Sequence, residues 1–133
     1  MKLSIIPALH RATHAVAISL EKAPKLGLSQ AEAHILSQLL SEGDSTISAL
    51  HSAFGHKRST LTAILDRLEA RKLVSRAADP EDRRAVLVHL TAHGKRSAGR
   101  ALERLEALEH RALRSLTAAE RAALRKGLDA FGK

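Results

Sequence analysis

The sequence predicts a mainly α-helical fold with a small β-hairpin, α+β in class, and three observations predict it. Apolar residues recur at helical spacing in six segments, several of them opened by capping residues. Between the fourth and fifth segments the spacing changes, and two short β-branched runs flank a turn. The 133 residues are 44% hydrophobic, enough for one packed domain.

The first helical segment runs from about Ser4 to Lys22, and Pro24 and Gly27 punctuate the chain after it. Ser29-Gln30-Ala31-Glu32 has the form of a capping box. Its Ser hydroxyl can accept a free amide, and its Glu can reach back to the Ser amide. A second helix therefore begins at Ser29, with Ile35, Leu36, Leu39 and Leu40 as its apolar stripe. Glu42-Gly43-Asp44-Ser45 reads as a turn, and a short helix follows from about Ile47 to Phe54, stopped by Gly55. Leu61, Ile64, Leu65 and Leu68 mark a longer helix from Arg58 to about Lys72. Leu73 to Arg76 and Ala85 to Leu90 are the two strands, and Asp79-Pro80-Glu81-Asp82 is strong turn chemistry between them. Thr91 can cap a long helix carrying Leu102, Leu105, Leu108 and Leu113. Thr117-Ala118-Ala119-Glu120 is a second capping box that starts a last helix toward Phe131. The order is α-α-α-α-β-β-α-α.

Lys and Arg number 22 against 14 Asp and Glu, a net charge of +8. Such a chain makes polyanions the first partner class to consider. Phe54 and Phe131 are the only aromatic residues, so no platform exists for stacking single-stranded bases. Helices beside duplex phosphates fit better. The absence of Cys excludes disulfides, thiolate metal sites and a thiol nucleophile. No apolar run reaches the length of a bilayer span, and the start, MKLSIIPALHRATH, lacks a signal-peptide pattern. A cytoplasmic location with no membrane partner is expected. Residues 41–91 carry eight basic and seven acidic groups, so in this stretch the placement of charge matters more than its sum. Lys57 and Arg58 open the long helix, Arg83 and Arg84 sit at the hairpin tip, and acids fill the turns.

Three helices followed by a two-stranded hairpin are the pattern of a winged helix-turn-helix. The major groove admits a helix. The start of the second helix of the pair, Lys57 to Thr62, would face base edges and phosphates there, and free amides at that helix end favour a phosphate. Ser59, Thr60 and Thr62 are short hydroxyl side chains that fit the groove without overfilling it. The hairpin tip would reach the neighbouring minor groove, whose negative potential suits a guanidinium. Arg67, Arg71 and Lys72, later on the helix, face phosphate or water.

The segment Ala78-Asp79-Pro80-Glu81-Asp82-Arg83-Arg84, with Leu90-Thr91 and Gly94 following, resembles the wing signature of MarR-type regulators. That signature is Asp, any residue, Arg, a short strand and Leu-Thr, satisfied here by Asp82, Arg84, Leu90 and Thr91. Upstream, Leu28 to Glu32, Ser59 to Thr62 and Asp66 to Glu69 match the helix signatures, so the likeness covers about residues 26–98. It implies a homodimeric, duplex-DNA-binding transcriptional regulator, often a repressor released by a small aromatic or amphipathic ligand. It implies that Arg84 enters the minor groove and that Asp82 shapes the wing. The chain departs from the pattern at His51, His56 and Lys57, and at Lys72, which stands where a Gly usually ends the recognition helix. A Lys there must adopt a left-handed backbone, or the helix must end differently.

The expected organisation is one domain over 1–133. Residues 28–91 form the DNA-binding lobe, and residues 1–27 and 92–133 form a helical dimerisation region whose apolar stripes so small a lobe cannot cover. An isologous dimer would set two recognition helices roughly 34 Å apart and require a pseudo-palindromic operator. The expected DNA-binding residues are Lys57, Arg58, Ser59, Thr60, Thr62, Arg67, Arg83 and Arg84. The chain has eight His residues. His10 and His14 share a helix face, but two ligands do not make a metal site and the HExxH pattern is absent. They are expected instead near a ligand cavity between the helical arms and the lobe. No nucleophile–base pair, phosphate loop or carboxylate pair stands out, so no enzyme, metal or cofactor is expected. The competing class is a winged-helix protein-interaction module that has lost DNA binding. His51, His56 and Lys57 support it; Arg83 and Arg84 argue against it.

Overall fold

The computed structural model describes residues 2–23 and 25–132. The helices are α1 (Ile5–Glu21), α2 (Gln30–Glu42), α3 (Ile47–Phe54), α4 (Arg58–Ala70), α5 (Ala92–Leu113) and α6 (Ala118–Phe131). The strands are β1 (Ser45–Thr46), β2 (Val74–Ala78) and β3 (Val86–Leu90). The fold is a winged helix-turn-helix with long terminal helices, as the sequence predicts. Pro24, part of the punctuation expected after α1, lies outside the described residues.

Both capping boxes form. Ser29 Oγ accepts the Glu32 amide at 3.2 Å while Glu32 Oε1 accepts the Ser29 amide at 3.0 Å, and Thr117 and Glu120 repeat the exchange. Each pair satisfies two amides that the first helical turn leaves open. The sheet has one strand more than the sequence suggests. β1 lies antiparallel to β3, pairing Ser45 with Val88 and Thr46 with Leu87, in the order β1-β3-β2. Ser45, read as turn, is therefore paired. A two-residue strand is too short to show an alternating pattern, and Thr46 also caps α3 by accepting the Ala49 amide at 3.0 Å. β2 extends past Arg76 to Ala78, with Val74 opposite Leu90 and Ala78 opposite Val86.

The core gathers around α2. Ile35 and Leu36 of α2, Leu50 of α3, Leu61, Leu65 and Leu68 of α4, and Val74 and Val88 of the hairpin are all fully buried. Each such side chain contributes about 1.5–3 kcal/mol. α4 ends at Ala70, two residues earlier than expected. Lys72 takes the left-handed conformation, with φ +60°. Its amide bonds Glu69 O and the Leu73 amide bonds Leu68 O, each at 2.9 Å. This is a Schellman closure with Lys in the place that favours Gly.

The wing passes into α5 through a tight junction. The Thr91 amide donates to Leu73 O at 3.1 Å, its hydroxyl donates to Lys72 O at 2.6 Å, and the same oxygen accepts the Gly94 amide at 2.9 Å. A Cβ at Gly94 would lie 1.8 Å from Leu73 O, so only glycine lets α5 approach this closely. At the two ends of the chain, apolar side chains are left in the open. Leu3, Ile5 and Ile6 before and within α1, and Leu124, Leu128 and Phe131 on α6, are exposed, and α6 buries no residue.

Candidate nucleic-acid interface

Gly55 closes α3 in a left-handed conformation, φ +69°, and turns the chain toward α4. Lys57 occupies the N-cap of α4 with an extended backbone and no side-chain capping bond. The first-turn amides of α4 are therefore left for an outside acceptor, which is the local condition for holding a phosphate. The helix divides cleanly. Leu61, Ile64, Leu65 and Leu68 face the core, which turns Lys57, Arg58, Ser59, Thr60, Thr62 and Arg67 outward, all exposed.

The wing tip is built by its two aspartates. Asp79 Oδ1 accepts the Glu81 amide at 2.9 Å, and Asp82 Oδ1 accepts the Arg84 amide at 3.0 Å. Backbone bonds from Asp79 to Ala85 and from Ala85 back to Asp82, each 3.0 Å, close the loop. Asp82 thus fixes the backbone that carries Arg84, and Asp79 acts in the same way three residues earlier. Arg83 and Arg84 are exposed, and among the described residues neither forms an ion pair; the same is true of Lys57, Arg58 and Arg67.

Two other arginines are engaged within the fold. Arg76 on β2 bonds Asp66 Oδ1 at 2.7 Å and Glu69 Oε2 at 2.9 Å, both on α4. The hydrogen bonds to Glu69 and then Asp66 raise its pKa above the usual arginine value, and they hold the wing against α4. The two acids, three apart, are visible in the sequence as one helix face. Their partner on a later strand is not. Arg71, expected to face phosphate or water, instead reaches back to the α1–α2 loop. It donates to Gly27 O at 2.7 Å and Leu26 O at 3.3 Å and lies 3.8 Å from the buried Glu32. The capping acid of α2 thus also faces the cation that closes α4.

Two histidines, His51 and His56, lie at the end of α3 and in the turn to α4. His56 stacks on Phe54 with ring centroids 6.1 Å apart, and the Nδ1 atoms of His51 and His56 are buried without a partner among the described residues. His34 on α2 is partly buried; burial, and secondarily His56, lower its pKa. Thr13, His34, Phe54 and His56 line a cleft of about 300 Å³. His10 and His14 are exposed on α1 and are not among the residues lining that cleft, to which α1 contributes Thr13. His89 is engaged with Ser75 across the sheet. Among the described residues no three His, Cys, Asp or Glu gather as metal ligands, and no helix is long and apolar enough to cross a membrane.

Comparison with known proteins places this geometry in a wider group. The family model described as "MarR family" matches residues 28–86. The uncharacterized HTH-type transcriptional regulator YfiV of Bacillus subtilis (strain 168) is 31% identical over 109 residues, spanning 82% of this chain and 68% of that protein. A mutant MarR from E. coli, solved in complex with operator DNA, is 27% identical with a TM-score of 0.75, over 96% of this chain and 94% of that one. Bordetella bronchiseptica BpsR, whose DNA binding is regulated by 6-hydroxynicotinic acid, is 26% identical with a TM-score of 0.74, over 98% of this chain and 100% of that one.

Proposed function

This chain belongs to the MarR family, whose members are transcriptional regulators, and on that premise we propose that it is a dimeric repressor of duplex-DNA operators, released by a small ligand. The observation that carries the reading is a division among the cations. Arg71 and Arg76 are engaged within the fold, whereas Lys57, Arg58, Arg67, Arg83 and Arg84 are exposed and unpaired among the described residues. The free cations sit on the exposed face of α4 and at the wing tip, two elements tied together by Arg76. With Ser59, Thr60 and Thr62 they suit one helix in a major groove and one guanidinium in the adjoining minor groove. Asp82 serves the site by shaping the loop under Arg84.

Residues 28–91 act as the DNA-binding lobe. Residues 1–27 and 92–133 act as the dimerisation region, a role supported by the open apolar side chains of α1 and α6. A second copy laid across these faces would repeat the α4–wing unit at a spacing near one duplex turn, roughly 34 Å, which calls for a pseudo-palindromic operator. Acting on chromosomal DNA, the protein works in the cytoplasm, with regulation rather than catalysis as its task. A ligand that favours another spacing of the two units must lower operator affinity, and operator must lower ligand affinity by the same factor.

Fluorescence anisotropy with duplexes from upstream of its own gene tests the reading. Wild-type binding weakens steeply as salt rises, because phosphate contacts release counterions. Arg84→Ala lowers affinity by about tenfold or more, while thermal melting and dimer mass stay as in wild type. Unchanged affinity in that variant refutes the wing assignment.

A further inference from the structure

We propose that Arg71 is a positioning residue for operator recognition, and that its two-pronged hold on the α1–α2 loop sets the angle at which α4 enters the major groove. The proposal rests on the operator-binding reading above and adds a residue that lies outside the DNA-facing set. Arg71 is the C-cap of α4. Its Nη1 donates to Gly27 O at 2.7 Å and its Nη2 to Leu26 O at 3.3 Å, so one planar guanidinium spans two consecutive carbonyls. Gly27 is left-handed, φ +56°, a turn that glycine takes without strain. Leu26 and Leu28 on either side of it are buried, which makes the two carbonyls fixed points on the lobe. Glu32 at the start of α2 adds charge to the grip. Its Oε1 accepts the Ser29 amide at 3.0 Å, and its Oε2 lies 3.8 Å from Arg71 Nη1.

The anchorage of α4 is one-sided. Toward its C-terminal end, Arg71 grips the α1–α2 loop, Lys72 O accepts the Thr91 hydroxyl at 2.6 Å, and Asp66 and Glu69 hold Arg76. At its N-terminal end Lys57 makes no side-chain capping bond. The stripe from Leu61 to Leu68 presses the helix on the core, but apolar contact is non-directional. The directional bonds at the far end therefore fix the tilt, with Lys72 tying α4 to the α5 side and Arg71 tying it to the α1–α2 side. α4 has 13 residues, about 20 Å of helix. A tilt of about 5° at the anchored end carries the other end by about 2 Å, more than the roughly 0.5 Å range over which a hydrogen bond holds. The long side chains of Lys57 and Arg58 can follow phosphates through such a shift, whereas the short hydroxyls of Ser59, Thr60 and Thr62 cannot follow base edges. Releasing Arg71 thus removes base reading and spares the phosphate contacts, which carry no sequence information.

Fluorescence anisotropy of the full chain with two labelled duplexes tests the role. One duplex comes from upstream of its own gene, and the other has the same length and composition in shuffled order. The specificity ratio, affinity for the first over the second, is expected to be about a thousand or more in wild type. Arg71→Ala should lower that ratio at least about tenfold. Affinity for the shuffled duplex and its salt slope should stay as in wild type, and the melting temperature should fall by no more than about 5 °C. Arg71→Lys keeps the charge but not the two-pronged donor. It should lower the ratio at least about threefold, and it serves if the Ala variant does not fold. Equal losses on both duplexes, with a salt slope smaller by about one, would make Arg71 a phosphate contact and overturn the proposal. An unchanged ratio in folded variants would overturn it as well. A ratio of one in wild type would instead overturn the operator reading, and the positioning role with it.

Discussion

Replacing Gly94 by alanine puts a methyl carbon 1.8 Å from Leu73 O and 2.8 Å from Leu73 C. Side-chain carbons do not approach other heavy atoms within 3.0 Å, so α5 and the start of β2 must separate by at least the difference, 1.2 Å. Neither side gives easily. Leu73 is fully buried, and its carbonyl receives the Thr91 amide at 3.1 Å. Losing that bond costs about 1 kcal/mol, and forcing a methylene-sized group into a packed contact costs about 1–3 kcal/mol. The expected loss is therefore about 2–4 kcal/mol, a large share of the total stability of a domain this size. Urea unfolding followed by circular dichroism measures it directly. A loss below about 1 kcal/mol, with the m-value unchanged, would refute the claim that the wing–α5 junction has no spare room.

Arg76→Ala frees the wing from α4. Because the ion pairs are largely exposed, stability should fall by no more than about 1 kcal/mol. Operator affinity should fall more than that, as anisotropy beside thermal melting would show; equal losses would mean that the pairs do not orient the wing. Lys72→Gly relieves a left-handed Lys that costs about 1–2 kcal/mol, against about 0.5–1 kcal/mol of added freedom in the unfolded chain. The variant should gain up to about 1.5 kcal/mol in urea unfolding, and a loss would count against the Schellman assignment. The lowered pKa of His34 means the unfolded chain binds more protons than the folded one once the pH drops below about 6.5. Stability contributed by the neutral ring is complete above that pH and declines on further acidification. Unfolding free energies across that window should slope less in His34→Gln, and an identical slope would count against the assignment.

Much of the fold is legible in the sequence because its signals are local. The capping boxes at Ser29 and Thr117, the stripe from Leu61 to Leu68 and the turn at Asp79 each lie within a few residues of their partners. The hydroxyl and basic residues at the start of α4 and the Asp82–Arg84 unit can be read for the same reason. What stays hidden depends on distant pairing. β1 exists only because β3, some forty residues later, offers it an edge. Arg71 reads as facing phosphate or water because its partners, Leu26, Gly27 and Glu32, lie on an earlier loop and helix. Arg76 gives no hint of holding Asp66 and Glu69. His10 and His14 stand out for their shared helix face, yet it is Thr13 between them that joins Gln30, Ala31, His34, Phe54 and His56 in lining one cleft, a set that no spacing rule connects.

The junction of Thr91 with Leu73 and Gly94 also bears on how the chain can change in length. α5 runs without interruption from this junction to Leu113, so the wing and the far end of that helix share one rotational phase. One residue inserted between Leu90 and Gly94 would turn everything beyond it by about 100°, moving Ala98 and Ala101 out of the core and swinging α6 to another side of the molecule. Insertions and deletions are therefore confined to places such as the turn between Leu113 and Thr117, where the phase is already broken, and the wing end of α5 can evolve only by substitution.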